Sequence, residues 1–199
     1  MNLRRLAALG SFLACVAVLA LVGPAADAGA QSRRQTITAT VVGISGRAVS
    51  RSRPFRLVVE NYTSPGDVQA LTDALQQGGQ DGLLRALSRL DAGRISVGNN
   101  VGVTANAVIR TPTAEGGTRL TVLYRRNVNF FELRHGTRSQ DYQFGYAEIF
   151  LDERGRGEGT FIPVAKVRLR DGNTWEVEDF GVYPARLLGV RSTGNVPAR

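Results

Sequence analysis

The residues best suited to acid and base chemistry lie close together between Asn127 and Tyr146. His135 is the only histidine of the chain, and the carboxylates Glu132 and Asp141 stand on either side of it. An imidazole titrates near neutral pH, so His135 oriented by one of these carboxylates could serve as a general base. His135, Asp141 and Glu132 are therefore the candidate catalytic residues of a hydrolase.

The composition argues against most other catalytic chemistry. Lys166 is the only lysine, and Cys15, the only cysteine, lies in an N-terminal segment that we expect to be removed. Glu132 and His135 have the spacing that helical two-metal sites use, but those sites need a second such motif and more glutamates. We therefore predict neither a metal site nor a cofactor, and a non-catalytic protein is favoured over an enzyme.

Aromatic side chains are concentrated in the same stretch of the chain. Rings that converge with a few polar groups are typical of ligand pockets, whereas rings that pair across a hairpin are typical of a core. The sequence leaves both interpretations open. The candidate ligand-binding residues are Phe130, Phe131, Tyr142, Phe144 and Tyr146.

Positive charge is concentrated near the start of the mature chain, and the whole chain carries a formal net charge of +8. The candidate anion-binding residues are Arg47, Arg51, Arg53 and Arg56. Such a group could attract an anionic polymer. Arginine outnumbers lysine 24 to 1 throughout the chain, which favours a general compositional bias instead. Nucleic acid is an unlikely partner because no recognition helix or RNA-binding aromatic strand is present.

Acidic residues near the C-terminus offer a second route to hydrolysis, since a two-carboxylate mechanism needs neither histidine nor cysteine. Glu176 and Glu178 flank Val177 on one face of a predicted strand. Lys166 and Arg168 of the preceding strand could pair with them across a turn. This pattern is typical of a solvent-exposed face, and a carboxylate-dependent hydrolase stays as an alternative.

The N-terminus has the plan of a secretion signal. Arg4 and Arg5 precede an apolar run from Leu6 to Val22, and small residues lead to a predicted cleavage after Ala30. The run of about 17 residues is short for a membrane span of ~20, although a signal anchor stays open. We expect a bacterial protein exported to the periplasm or the extracellular space, with no transmembrane segment after cleavage.

The candidate residues must be positioned by a domain that is mainly β. Apolar residues alternate with polar ones in Thr36–Ile44 and in most segments after Gly93, separated by glycine-rich turns. Between them, Ser64 followed by Pro65 is a helix start, and residues 64–92 carry two leucine-rich stripes that predict an αα-hairpin. The hairpin should cover one face or one mouth of the sheet.

The predicted fold is a single domain over residues 31–199. It is an antiparallel barrel or sandwich of about eight to ten strands with an inserted αα-hairpin, and residues 192–199 form a flexible tail. We expect a non-catalytic binding module of the cell envelope or extracellular space, with an unidentified ligand or envelope partner. The alternatives are a hydrolase that uses carboxylates or His135, and a structural or assembly factor of the envelope.

Overall fold

The computed structural model describes residues 34–43, 52–126, 142–170, 174–179 and 184–194. Within them the chain forms ten antiparallel strands and one helical element. The first half contains β1 (Gln35–Val42), β2 (Arg53–Val59), α1 (Pro65–Leu87), β3 (Gly93–Val97), β4 (Val103–Ala105) and β5 (Ala107–Pro112). The second half contains β6 (Thr118–Arg125), β7 (Phe144–Leu151), β8 (Arg156–Arg170), β9 (Thr174–Asp179) and β10 (Ala185–Thr193).

The strands form one sheet that curls into a nearly closed barrel, which confirms the predicted mainly β fold. Their order is β4-β3-β2-β1-β10-β8-β7-β6-β5, so β10 lies between β1 and β8. The long strand β8 pairs with β10 through its first half and with β9 through its second half. Four of the nine neighbouring pairs, namely β3–β4, β5–β6, β7–β8 and β8–β9, are joined by short connections at the predicted glycine-containing turns.

The two ends of this strand order meet at Asn106. The sequence pattern predicted one strand from Val101 to Arg110, but the structure has β4 and β5 separated by this single residue. β4 pairs with β3, and β5 pairs with β6. The prediction of one strand was wrong because the chain bends at Asn106 to change partners, and this bend joins both ends of the sheet.

The interior of the barrel is filled by the inward-facing residues of alternating strand positions. Phe55 and Phe161 make an edge-to-face contact there, with ring centroids 6.0 Å apart. Other fully buried members of this barrel core are Ile37, Val41, Leu57, Leu120, Val122, Ile149 and Leu187. Side-chain burial of this kind stabilises the fold by packing alone.

A second apolar cluster lies on the outside of the barrel, between α1 and the outward faces of β5 to β9. Four leucines of α1 pack against this face, and the indole nitrogen of Trp175 donates to the Thr72 hydroxyl at 3.1 Å. The leucines are Leu71, Leu75, Leu83 and Leu87. The helical segment was predicted to cover either a face or a mouth of the sheet, and α1 covers a face.

The helical element begins and breaks where the sequence predicted. Ser64 caps α1, and its Oγ accepts from the Asp67 amide at 3.1 Å. Gly79 leaves the helical conformation, with φ 56° and ψ −145°, and divides α1 into two helices at the predicted break. A Cβ built on Gly82 would lie 2.2 Å from the Ala74 carbonyl oxygen, so the two halves fold back on each other.

Candidate functional site

A pocket of about 450 Å³ opens at one end of the barrel, where β2 and β4 begin and β3 and β6 end. We call it the mouth pocket. Its lining is Arg53, Ile95, Ser96, Val97, Asn100, Val101, Gly102, Val103, Tyr124, Arg126, Phe161 and Pro163. These residues come from β2, β3, β4, β6, β8 and the turn after β3, so only the closed sheet brings them together.

The inner part of the mouth pocket is apolar and continuous with the barrel core. Ile95 and Phe161 are core members that are almost fully buried, and Val97 and Val103 pack against the same core. The barrel is therefore open at this end down to its core side chains. An apolar molecule placed there would cover surface that otherwise meets water, which is favourable in proportion to the area covered.

Tyr124 is the most unusual residue of the lining. Its side chain is only 8% exposed, and its hydroxyl, which makes no hydrogen bond to another described residue, is not among the buried atoms that lack a partner. Its ring lies against Gly145, the residue directly opposite on β7, where a built Cβ would be 2.0 Å from Cζ. Gly145 thus provides the space that the ring needs.

Tyr124 is protonated at physiological pH, as an ordinary phenol is. Burial raises its pKa further, and the positive charge of Arg126 opposes this shift only in part. A neutral phenol is a hydrogen-bond donor, so Tyr124 presents a donor to whatever occupies the pocket.

Two arginines supply the charge of the mouth pocket. Arg53 is exposed at the start of β2, and Arg126 follows β6, where its Nε donates to the Tyr142 carbonyl oxygen at 3.0 Å. The Arg126 amide also donates to the Gln143 carbonyl at 2.9 Å. Of the described residues that line the pocket, none is acidic. The site therefore combines an apolar floor with a positive rim.

A larger depression of about 860 Å³ lies between the β5–β6 and β7–β8 turns. Turn residues of both charges line it, including Glu115, Asp152, Glu153 and Arg154. Asp152 accepts from the amides of Arg154 and Arg156 at 2.9 and 2.8 Å, so it serves the turn itself. The described residues that line this depression carry charges of both signs, and none of them has a buried polar atom without a partner. We do not assign a site to it.

Three of the five predicted aromatic ligand-binding residues are described, and none of these three is part of the mouth-pocket lining. Phe144 is fully buried beneath α1, and Tyr146 packs against the same cluster. The pKa of Tyr146 is raised to about 12, mainly by burial and to a smaller extent by the negative charge of Glu148. The Tyr142 hydroxyl donates to Glu178 Oε1 at 2.6 Å. Their packing favours the core interpretation, while Phe130 and Phe131 lie outside the described residues.

The predicted anion-binding arginines are separated by the alternation of strand faces. Arg53 lies at the mouth pocket, whereas Arg56, three residues further along β2, is exposed on the opposite face. Arg47 and Arg51 lie outside the described residues. Only Arg53 of the four is thus placed at a site by the structure.

The candidate catalytic residues His135, Asp141 and Glu132 also lie outside the described residues, so their roles stay predictions. Several carboxylates that are described form ion pairs on the surface. Glu178 pairs with Arg168 across the β8–β9 hairpin, as the strand pattern predicted. In the part of the chain that the structure describes, no group of three or more histidine, cysteine or acidic side chains could hold a metal ion.

Sequence reasoning missed Tyr124 and Arg126. A signal for both was present, because Leu120, Val122 and Tyr124 alternate as an inward-facing series, and two arginines follow at the strand end. A polar aromatic in such a series is expected to need a hydrogen-bond partner. The high density of aromatic residues favoured the stretch from Asn127 to Tyr146 instead.

Comparison with known proteins adds no functional assignment. No family model matches the sequence, and no curated protein or solved structure is significantly similar to it. Among the described residues, no helix has the length and apolar character needed to cross a membrane. The geometry of the mouth pocket is therefore the feature from which a function can be inferred.

Proposed function

We propose that this protein is an exported, non-catalytic binding module that holds a small, mainly apolar molecule in the mouth pocket. Export to the periplasm or extracellular space is supported by the signal-like residues 1–30. Binding is supported by one observation above all, a pocket of about 450 Å³ at the mouth of the barrel whose apolar lining lies beside Tyr124 and Arg53. The Tyr124 hydroxyl makes no hydrogen bond to another described residue, so it can donate to a ligand oxygen.

The pocket lining favours an apolar occupant. Covering apolar surface that otherwise meets water stabilises a complex by about 25 cal/mol per Å². The pocket volume of about 450 Å³ also lies within the range typical of small-molecule sites. An apolar lining with a few fixed polar groups is the usual arrangement at such sites.

Filling the pocket is expected to abolish most binding of an apolar probe. Val103→Trp places a large ring in the pocket, so Nile red should bind the variant about tenfold more weakly than the wild type. Fluorescence titration of the mature protein measures this. Leu188→Trp is the matched control, because Leu188 is 38% exposed on β10 and is not part of the pocket lining.

Equal binding of Nile red by the two tryptophan variants would contradict the proposed site. Thermal unfolding of both variants shows whether each is folded before titration. Loss of binding in Val103→Trp alone, with both proteins folded, is the expected result.

Export predicts that the mature protein begins at Gln31. We expect intact-mass measurement and N-terminal sequencing of protein from the envelope fraction or medium to give cleavage after Ala30. A full-length chain found only in the cytoplasm would contradict export. A full-length chain held in the membrane fraction would favour the signal-anchor alternative.

A further inference from the structure

We infer that the mouth pocket takes an amphipathic anion, with its apolar part on the barrel core and its anionic oxygens at Tyr124 and Arg53. This inference rests on the proposed function and specifies the chemical class of the ligand. The relevant class is a chain or ring system that carries a carboxylate, phosphate or sulfate group. The floor, the hydroxyl and the rim of the pocket each contribute to this specificity.

The floor sets the apolar part of the ligand. Val97, Val103 and Pro163 are partly exposed over the buried Ile95 and Phe161, and together they form a surface without charged groups. Hydrocarbon is the chemistry that gains from covering such a surface. A fully hydrated ion such as inorganic phosphate would gain nothing from this floor.

The Tyr124 hydroxyl supplies a hydrogen-bond donor at the pocket. Its phenol is protonated at neutral pH, and burial raises its pKa further, so it can donate to a ligand oxygen. Hydrogen bonds from a neutral donor to an ionised oxygen are shorter and stronger than those to a neutral oxygen. A carboxylate or phosphate oxygen is therefore the partner that this hydroxyl favours.

The rim selects negative charge. Arg53 has no ion-pair partner among the described residues, and Arg126 approaches from β6, which is not a neighbour of β2 in the sheet. Two guanidinium groups thus reach the pocket from different sides of the barrel. No carboxylate is among the described lining residues, so the charge of Arg53 favours an anion over a cation here.

A pocket for a small anion also accounts better for the arginines than an extended polymer surface does. Arg53 and Arg56 lie on opposite faces of β2, so they cannot contact one polymer chain together on a single flat face. Arg56 therefore serves as a matched control for Arg53. Both are exposed arginines on the same strand, and only Arg53 lines the pocket.

Probes that share a ten-carbon chain and differ in headgroup test the inference. In displacement of Nile red from the mature protein, we expect decanoate to bind about tenfold more tightly than 1-decanol, and decyltrimethylammonium most weakly. Arg53→Gln should weaken decanoate about fivefold and leave 1-decanol unchanged, since an exposed charge contributes modestly. Arg56→Gln should change neither.

Tyr124→Phe separates the hydroxyl from the ring. It keeps the shape of the floor, so Nile red should still bind, while decanoate should bind about tenfold more weakly. Retained Nile red binding in this variant shows that the pocket is folded. Unchanged decanoate binding would overturn the assigned role of the hydroxyl.

The outcomes distinguish the ligand class from the site. Equal affinity for decanoate and 1-decanol, or equal effects of Arg53→Gln and Arg56→Gln, would overturn the inference that the ligand is an anion. Binding of Nile red in the same experiments would still support the pocket as a binding site. Failure of Nile red and all three decyl probes to bind the wild type would overturn both proposals.

Discussion

Asn106→Ala is expected to lower the free energy of unfolding by about 3 kcal/mol. Asn106 is 7% exposed and lies at the bend where β4 passes into β5. Its Oδ1 accepts from the Arg125 amide at 2.9 Å, and its Nδ2 donates to the Leu90 carbonyl at 3.0 Å. Alanine would remove both bonds and leave two backbone groups without their partner.

The size of this effect follows from the position of the side chain. Asn106 lies between β4, which pairs with β3, and β5, which pairs with β6. At this point the Arg125 amide of β6 donates to the Asn106 side chain instead of to a backbone carbonyl. Removing one partner from a buried hydrogen bond costs more than the net value of the bond, because the other group stays desolvated. The seam that closes the barrel therefore depends on one side chain.

Urea denaturation of Asn106→Ala and Asn100→Ala measures the difference. Asn100 is an exposed residue in the β3–β4 turn, and its amide donates to Val97 at 3.3 Å. Its removal should change the free energy of unfolding by less than about 0.5 kcal/mol. Similar values for the two variants would show that the barrel closes without the Asn106 bonds.

Gly145→Ala is expected to lower the free energy of unfolding by about 2 kcal/mol and to weaken Nile red binding. A Cβ on Gly145 would lie 2.0 Å from Tyr124 Cζ and 2.3 Å from its hydroxyl oxygen. The Tyr124 ring must then move from β7 into the mouth pocket. The same substitution therefore affects stability and binding through one displaced ring.

A double-mutant cycle with Tyr124→Leu checks this cause. Leucine lacks the outer atoms of the ring, so adding Gly145→Ala to Tyr124→Leu should cost less than it does in the wild type by at least about 1 kcal/mol. Gly66→Ala is the control, since a Cβ there would meet only Ser64 Oγ, at 3.8 Å. Additive effects of the two substitutions would rule out the steric explanation.

Much of the fold was predictable from the sequence because its signals are local. β6 and β7 coincide with the predicted strands Thr118–Arg125 and Phe144–Leu151. Alternation with a period of two marks which residues of a strand share a face, and glycine-rich turns mark its ends. The Ser64 cap and Pro65 likewise fixed the start of α1.

The candidate site was far less predictable, since it is built from residues that are distant in the chain. Arg53, Val97, Tyr124 and Phe161 come from four strands and meet only when the sheet closes. The aromatic cluster near Tyr142 was a plausible binding site by composition. In the structure Phe144 faces α1 instead, because its side chain points outward from the barrel at that position of β7.

Local sequence patterns are enough to predict a mainly β chain with one helical insertion and to show which residues of each strand share a face. These properties depend on backbone preferences and on the spacing of apolar side chains within a few residues. The near closure of the sheet at Asn106 and the packing of α1 on its outer face become visible only in the folded chain. So does the open mouth over Tyr124, because strand partners and the space between them depend on long-range contacts that no local pattern records.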